Sequence, residues 1–60
     1  MWNYVLRIEG KDGKDHLYKL EGDKAIARAK YQKALEVVKG RKVSLEEHVL
    51  GDIYVLRRNY

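Results

Sequence analysis

From Trp2 to Glu9 apolar and polar side chains alternate, with Val5 the one apolar residue on the polar side. Trp2, Tyr4, Leu6 and Ile8 fall on one side, and Asn3, Val5, Arg7 and Glu9 on the other. A period of two, rich in aromatic and β-branched residues, is the pattern of a half-buried strand. Gly10-Lys11-Asp12-Gly13-Lys14 is a turn cluster, and alternation resumes over 15–21. The first third of the chain is therefore a β-hairpin and commits the fold to an antiparallel sheet. Sixty residues leave room for little beyond one such sheet and whatever covers it.

The register of this hairpin follows from polarity, because a slip of one residue moves every side chain to the opposite face. A two-residue Asp12-Gly13 turn sets Leu6 against Lys19 and Arg7 against Tyr18, which mixes the faces. A three-residue loop, Lys11-Asp12-Gly13, puts Gly13 at the left-handed bulge position. It pairs Tyr4 with Leu20, Leu6 with Tyr18 and Ile8 with His16, so one face stays apolar. The same register sets Glu9 opposite Asp15, a like-charged pair close to the turn.

Residues 23–39 read as a helix. Asp23 follows Gly22 as a good N-cap, and neither Gly nor Pro interrupts Lys24 to Lys39. Ala27, Tyr31, Ala34, Leu35 and Val38 form an apolar stripe flanked by Ile26 and Val37. Lys39 stands in the expected last turn, and Gly40 takes the residue position just past the end. After the helix, Gly51-Asp52 between Leu50 and Ile53 signals a second hairpin. That turn pairs Val49 with Tyr54, Glu47 with Leu56, Glu46 with Arg57 and Leu45 with Arg58. It gathers Val43, Leu45, Val49, Tyr54, Leu56 and Tyr60 on one face, and Glu47 is the misfit that a bulge would relieve. A short helix from Ser44, capped by Glu47 and ended by Gly51, is the competing reading of this segment.

The sequence thus predicts an α+β fold of order ββαββ, forming one small domain over residues 1–60. Strands span about 2–9, 15–21, 42–50 and 53–59, and the helix about 23–39. The four strands form an antiparallel sheet with one helix packed on one face.

The chemistry available to such a chain is narrow. It has no Cys, so disulfides, zinc ribbons and thiol nucleophiles are excluded. Ser44 is the only Ser and there is no Thr, which leaves no plausible triad. His16 and His48 lack metal-ligand spacing, and no metal or other cofactor is expected. Gly10-x-x-Gly13 joins two strands, so neither a phosphate-binding loop nor a KH-type loop fits its context. The expected protein is not an enzyme. No apolar run is long enough to span a membrane and no signal peptide is read at the start, so a cytoplasmic protein is expected.

Two surfaces remain to carry function. With one helix on one face, the second face of the sheet collects Val5, Arg7, Leu17, Lys19, Leu50, Ile53, Val55 and Arg57, which is aliphatic for a solvated surface. Those residues are the candidate partner interface. They point to a small regulator, inhibitor or adaptor that binds itself, as a homodimer or higher oligomer, or another protein. The length supports this reading, since a core of this size contributes only about 3–5 kcal/mol and association is a common remedy. The second surface is basic. The chain carries a net charge of +4, yet residues 23–42 alone carry +5 and the remainder is slightly acidic. Lys24, Arg28, Lys33, Lys39, Arg41 and Lys42 are the candidate anion-binding residues, for nucleic acid or a phosphorylated ligand. The chain has no clustered aromatic pair on which single-stranded bases would stack, and Tyr60 either frames a binding rim or frays.

Overall fold

A computed structural model describes residues 3–60. Two hairpins flank one helix: β1 (Tyr4–Glu9), β2 (Asp15–Leu20), α1 (Lys24–Val37), β3 (Val43–Val49) and β4 (Asp52–Arg58). The strands form one antiparallel sheet in the order β2-β1-β3-β4. The α+β, ββαββ architecture expected from the sequence is the one observed. Trp2, assigned to the apolar face by its alternation, lies outside the described residues.

The first hairpin has the register that polarity demands: Tyr4 faces Leu20, Leu6 faces Tyr18, and Ile8 faces His16. Gly13 has φ +81° and its N–H donates to the Gly10 carbonyl at 3.0 Å. Asp12 Oδ1 accepts from the Lys14 N–H at 3.0 Å, which braces the loop. The helix starts as expected, with Asp23 Oδ1 accepting from the Ile26 N–H at 3.0 Å. It ends two residues early. Val38 is the C-cap, and Gly40, with φ +81°, is the third residue of a turn closed by Arg41 N–H to Val38 C=O at 3.3 Å. Such a turn needs a left-handed third residue to swing the chain from helix to strand. Lys39 therefore lies beyond the helix rather than in its last turn.

The helix lies on β1 and β3, the two central strands. Leu6, Leu20, Val43 and Leu45 from the sheet meet Ala27, Tyr31 and Ala34 from the helix, with Tyr4, Ile8, Leu35, Val38 and Leu56 packed at the margin. On the edge strands, Tyr18 and Tyr54 also face the helix side but remain half exposed.

The second hairpin corrects the sequence reading. Residues 43–49 are strand, and the turn is Leu50-Gly51, not Gly51-Asp52. Val49 pairs with Asp52, His48 with Ile53, Glu47 with Tyr54 and Glu46 with Val55. A bulge at Leu56 follows, so that Leu45 faces Arg57 and Ser44 faces Arg58. Both turn residues have positive φ, 48° at Leu50 and 86° at Gly51, as a tight hairpin turn requires. Leucine in that region costs roughly 1–2 kcal/mol. The cost is offset at the other end of the hairpin, where this register brings Asn59 opposite Val43. Asn59 Oδ1 accepts from the Val43 N–H at 2.8 Å, its own N–H donates to the Val43 carbonyl at 3.1 Å, and its amide donates to the Arg41 carbonyl at 2.8 Å.

Leu50 makes no compensating burial, being 99% exposed. Replacing it by Asn, which tolerates the left-handed region, is expected to stabilise the fold by about 1 kcal/mol. A urea midpoint that rises at constant slope is the check.

Candidate functional site

The face of the sheet turned away from the helix is the candidate interface, and its middle is unlike an interface. Alternation along β1 and β3 sends Val5, Arg7, Ser44, Glu46 and His48 to this side. Because β1 and β3 are neighbours, Arg7 stands opposite Ser44 and Val5 opposite Glu46. Arg7 reaches across: Nε donates to Glu46 Oε2 at 2.7 Å and Nη2 to Oε1 at 3.3 Å. Its Nη1 donates to Asp15 Oδ2 on β2 at 3.4 Å, beside the Glu9–Asp15 like-charged pair. His48 Nε2 lies 3.0 Å from Glu46 Oε1. A polar ladder, Asp15–Arg7–Glu46–His48, thus ties three strands together.

Glu46 is the shielded member, with a side chain only 7% exposed against 30% for Arg7. The hydrogen bonds from Arg7 hold its carboxyl below the usual range, against the upward push of burial, with His48 adding to the lowering. In return Glu46 raises the pKa of Arg7. Ser44 is fully buried beside them, and its Oγ has no hydrogen-bond partner among the described residues.

The candidate interface residues therefore separate. Val5, opposite Glu46, is buried at 6% exposed, and Arg7 is committed to Glu46 and Asp15. Leu50 lies in the turn rather than on the face. Arg57 was expected on this face and opposite Glu46. The Leu56 bulge shifts the alternation by one, placing Arg57 opposite Leu45 on the helix side and Arg58 opposite Ser44 on the outer face. Arg57 Nη1 donates instead to the Leu56 carbonyl at 2.9 Å. The same shift moves Tyr60 from the helix side to the outer face. What stays exposed is on the edge strands: Leu17 and Lys19 on β2, Ile53 and Val55 on β4.

The candidate anion-binding residues do not converge either. Lys24 and Arg28 share one flank of the helix, while Lys33, five residues beyond Arg28, projects from the far flank at 3.6 residues per turn. Lys24 and Lys39 are separated by the helix length, about 21 Å for 14 residues. The turn behaves differently. Lys42 Nζ and the Arg58 guanidinium lie 5.5 and 5.7 Å from the centre of the Tyr60 ring. Lys42 and Tyr60 also line a hollow of about 220 Å³ with Arg7, Glu9, Asp15 and Ser44. Its two cations, Arg7 and Lys42, balance its two carboxylates, Glu9 and Asp15, so it carries no net charge. Sequence reasoning missed Arg58, and it offered Tyr60 as a rim or frayed residue without placing it on this face, because the bulge brings both here.

Among the described residues no three His, Asp or Glu side chains group as a metal site, and no helix is long and apolar enough to cross a membrane. No family model, curated protein or solved structure matches the chain.

Two outcomes test the ladder. Arg7→Met strands a shielded carboxylate, whereas Glu46→Gln leaves Arg7 within reach of water. At neutral pH the first is expected to cost about 3 kcal/mol and the second about 1 kcal/mol, read from urea unfolding. Glu46 also makes stability depend on pH. Its folded pKa lies below the unfolded value of about 4.3, so its contribution is complete above that pH and is lost as pH falls towards the depressed folded value. Glu46→Gln should flatten the loss of stability in that acid range. Separately, Ser44→Ala removes an unpaired buried hydroxyl and is expected to be neutral or to stabilise by up to about 1 kcal/mol, read as a shift in the urea midpoint.

Proposed function

We propose that this is a non-enzymatic binding protein of the regulator, inhibitor or adaptor type, acting by protein–protein contact through the rim of its sheet, with self-association as one form of that contact. The observation that carries this reading is the exposed apolar stretch of β4: Ile53, Tyr54 and Val55 are each more than half exposed, Ile53 and Val55 on the outer face and Tyr54 on the helix side, and Leu50 is exposed in the adjoining turn. The middle of the outer face, by contrast, uses its polar groups on one another. Isolated exposed aliphatics are ordinary on a soluble domain, but three consecutive exposed apolar residues on an edge strand with no charge among them favour a contact surface.

A second reading, anion binding, is favoured by one observation: Lys42 and Arg58 lie 5.5 and 5.7 Å from the centre of the same Tyr60 ring. A phosphate group near Tyr60 would find two cations beside it.

The two readings respond oppositely to salt and to substitution. Val55→Lys is expected to abolish self-association seen by sedimentation at micromolar concentration, and raising salt from about 50 to 200 mM should leave the wild-type association intact. If association or ligand capture falls steeply over that salt range and survives Val55→Lys, but is lost in Lys42→Glu, the second reading replaces the first.

A further inference from the structure

We propose that two copies of the chain join edge to edge through β4, antiparallel about a two-fold axis at Tyr54, to form one continuous eight-stranded sheet. This rests on the protein-contact reading and specifies both the partner and the register.

The backbone fixes which groups are free. In a two-residue hairpin the residues flanking the turn, here Val49 and Asp52, exchange hydrogen bonds, and bonded pairs then alternate with non-bonded ones. Glu47 and Tyr54 are therefore a bonded pair, whereas His48–Ile53 and Glu46–Val55 are not. The His48 N–H agrees with this parity, because it donates away from β4 to the Asn3 carbonyl at 2.6 Å. Ile53 and Val55 thus turn their N–H and C=O groups to the outer edge of the sheet. The free stretch is short, closed by the turn before Asp52 and by the bulge at Leu56.

Only a second β4 in the antiparallel sense, centred on Tyr54, uses all of these groups symmetrically. Ile53 of one copy faces Val55 of the other, twice, giving four backbone hydrogen bonds. Their side chains, now exposed on the outer face, form one four-residue apolar cluster. On the helix side the two Tyr54 side chains meet in a non-bonded pair, the closer of the two cross-strand spacings. Such self-complementarity is what a two-fold interface requires. The opposite edge is guarded. On β2 the outward residues are Asp15, Leu17 and Lys19, and charges so placed oppose pairing. The alternative β2 dimer, centred on Leu17, would set Asp15 against Lys19, an attractive pair, but would draw Asp15 from Arg7 and join the copies through a single apolar residue, Leu17, on that face. Between Asp52 and Arg57, β4 carries no charge.

The absence of native cysteine makes the register measurable. At the proposed axis, Tyr54→Cys places two thiols across a non-bonded pair, about 4.5 Å between Cα atoms, within disulfide reach. Ile53→Cys and Leu17→Cys serve as controls, because in this dimer residue 53 lies two places out of register with its own copy and residue 17 is on the far edge. Wild-type protein should sediment as a dimer at micromolar concentration. Under oxidised glutathione, Tyr54→Cys should form a covalent dimer roughly tenfold or more faster than either control. Val55→Pro removes only an outward N–H and should give a folded monomer, judged by an unchanged circular dichroism spectrum. A dimer in which Leu17→Cys crosslinks faster, or which persists in a folded Val55→Pro, overturns the β4 register and leaves the protein-contact reading standing. If the wild-type chain is a monomer and Tyr54→Cys crosslinks no faster than the controls, the dimer fails, and with it the self-association in that reading.

Discussion

One helix on four strands is the constraint from which the rest follows. An α-helix with its side chains is about 10–12 Å across, and strands lie about 4.8 Å apart, so one helix covers two strands. Here it covers β1 and β3, and apart from Leu20 at the end of β2 the buried core residues are those of the two central strands and the helix stripe. Further along, the edge strands are left half exposed even on the side where the helix lies. Tyr18 and Tyr54 are not core residues despite their place in the apolar pattern.

The outer face solves a related difficulty with different chemistry. No second layer covers it, yet Val5 and Glu46 lie beneath its surface. Long polar side chains serve as the cover. Arg7 lies across the face with its guanidinium shared between Glu46 and Asp15, the geometry by which long cationic side chains can cover apolar surface. The arrangement removes the middle of the face from the surfaces available to a partner. It also answers the Glu9–Asp15 clash that the hairpin register creates, by setting a cation beside it. Buried ion pairs often contribute little net stability because both groups are desolvated. This one is asymmetric, and most of the desolvation falls on Glu46.

The first hairpin and the helix were legible because local rules determined them. A one-residue slip in β1–β2 would have mixed polar with apolar side chains, and Asp23 marked the helix start. The second hairpin defeated the same test for a definite reason. The Gly51-Asp52 and Leu50-Gly51 turns differ by two residues in register, and an even slip keeps every side chain on its face before the bulge. Polarity is blind to it, and leucine at positive φ argued for the wrong choice. The Arg7–Glu46 pair was hidden differently. Alternation put both residues on one face, but only the strand order makes β1 and β3 neighbours. Of the expected interface, Leu17, Lys19, Ile53 and Val55 lie exposed on the sheet's edges, whereas Val5 and Arg7 were spoken for by contacts that no local pattern reveals.

The Leu56 bulge has a consequence for how this sequence can vary in length. It acts as a phase shift: upstream, odd-numbered residues of β4 face outward, and downstream, even-numbered ones do. Leu56 is the one residue of the strand with no partner of its own on β3. Deleting it would therefore close the ladder into regular pairing, with Arg57 still opposite Leu45 and Arg58 still opposite Ser44. The Asn59 clasp on Val43 and the approach of Arg58 and Tyr60 to Lys42 would persist, and the loss would be the packing of Leu56 at the core margin. Loss of a residue from the regular stretch between Asp52 and Val55 would instead turn part of that edge over. The bulge is thus a slack residue: the strand has one place where its length is negotiable, and elsewhere its count of residues is fixed.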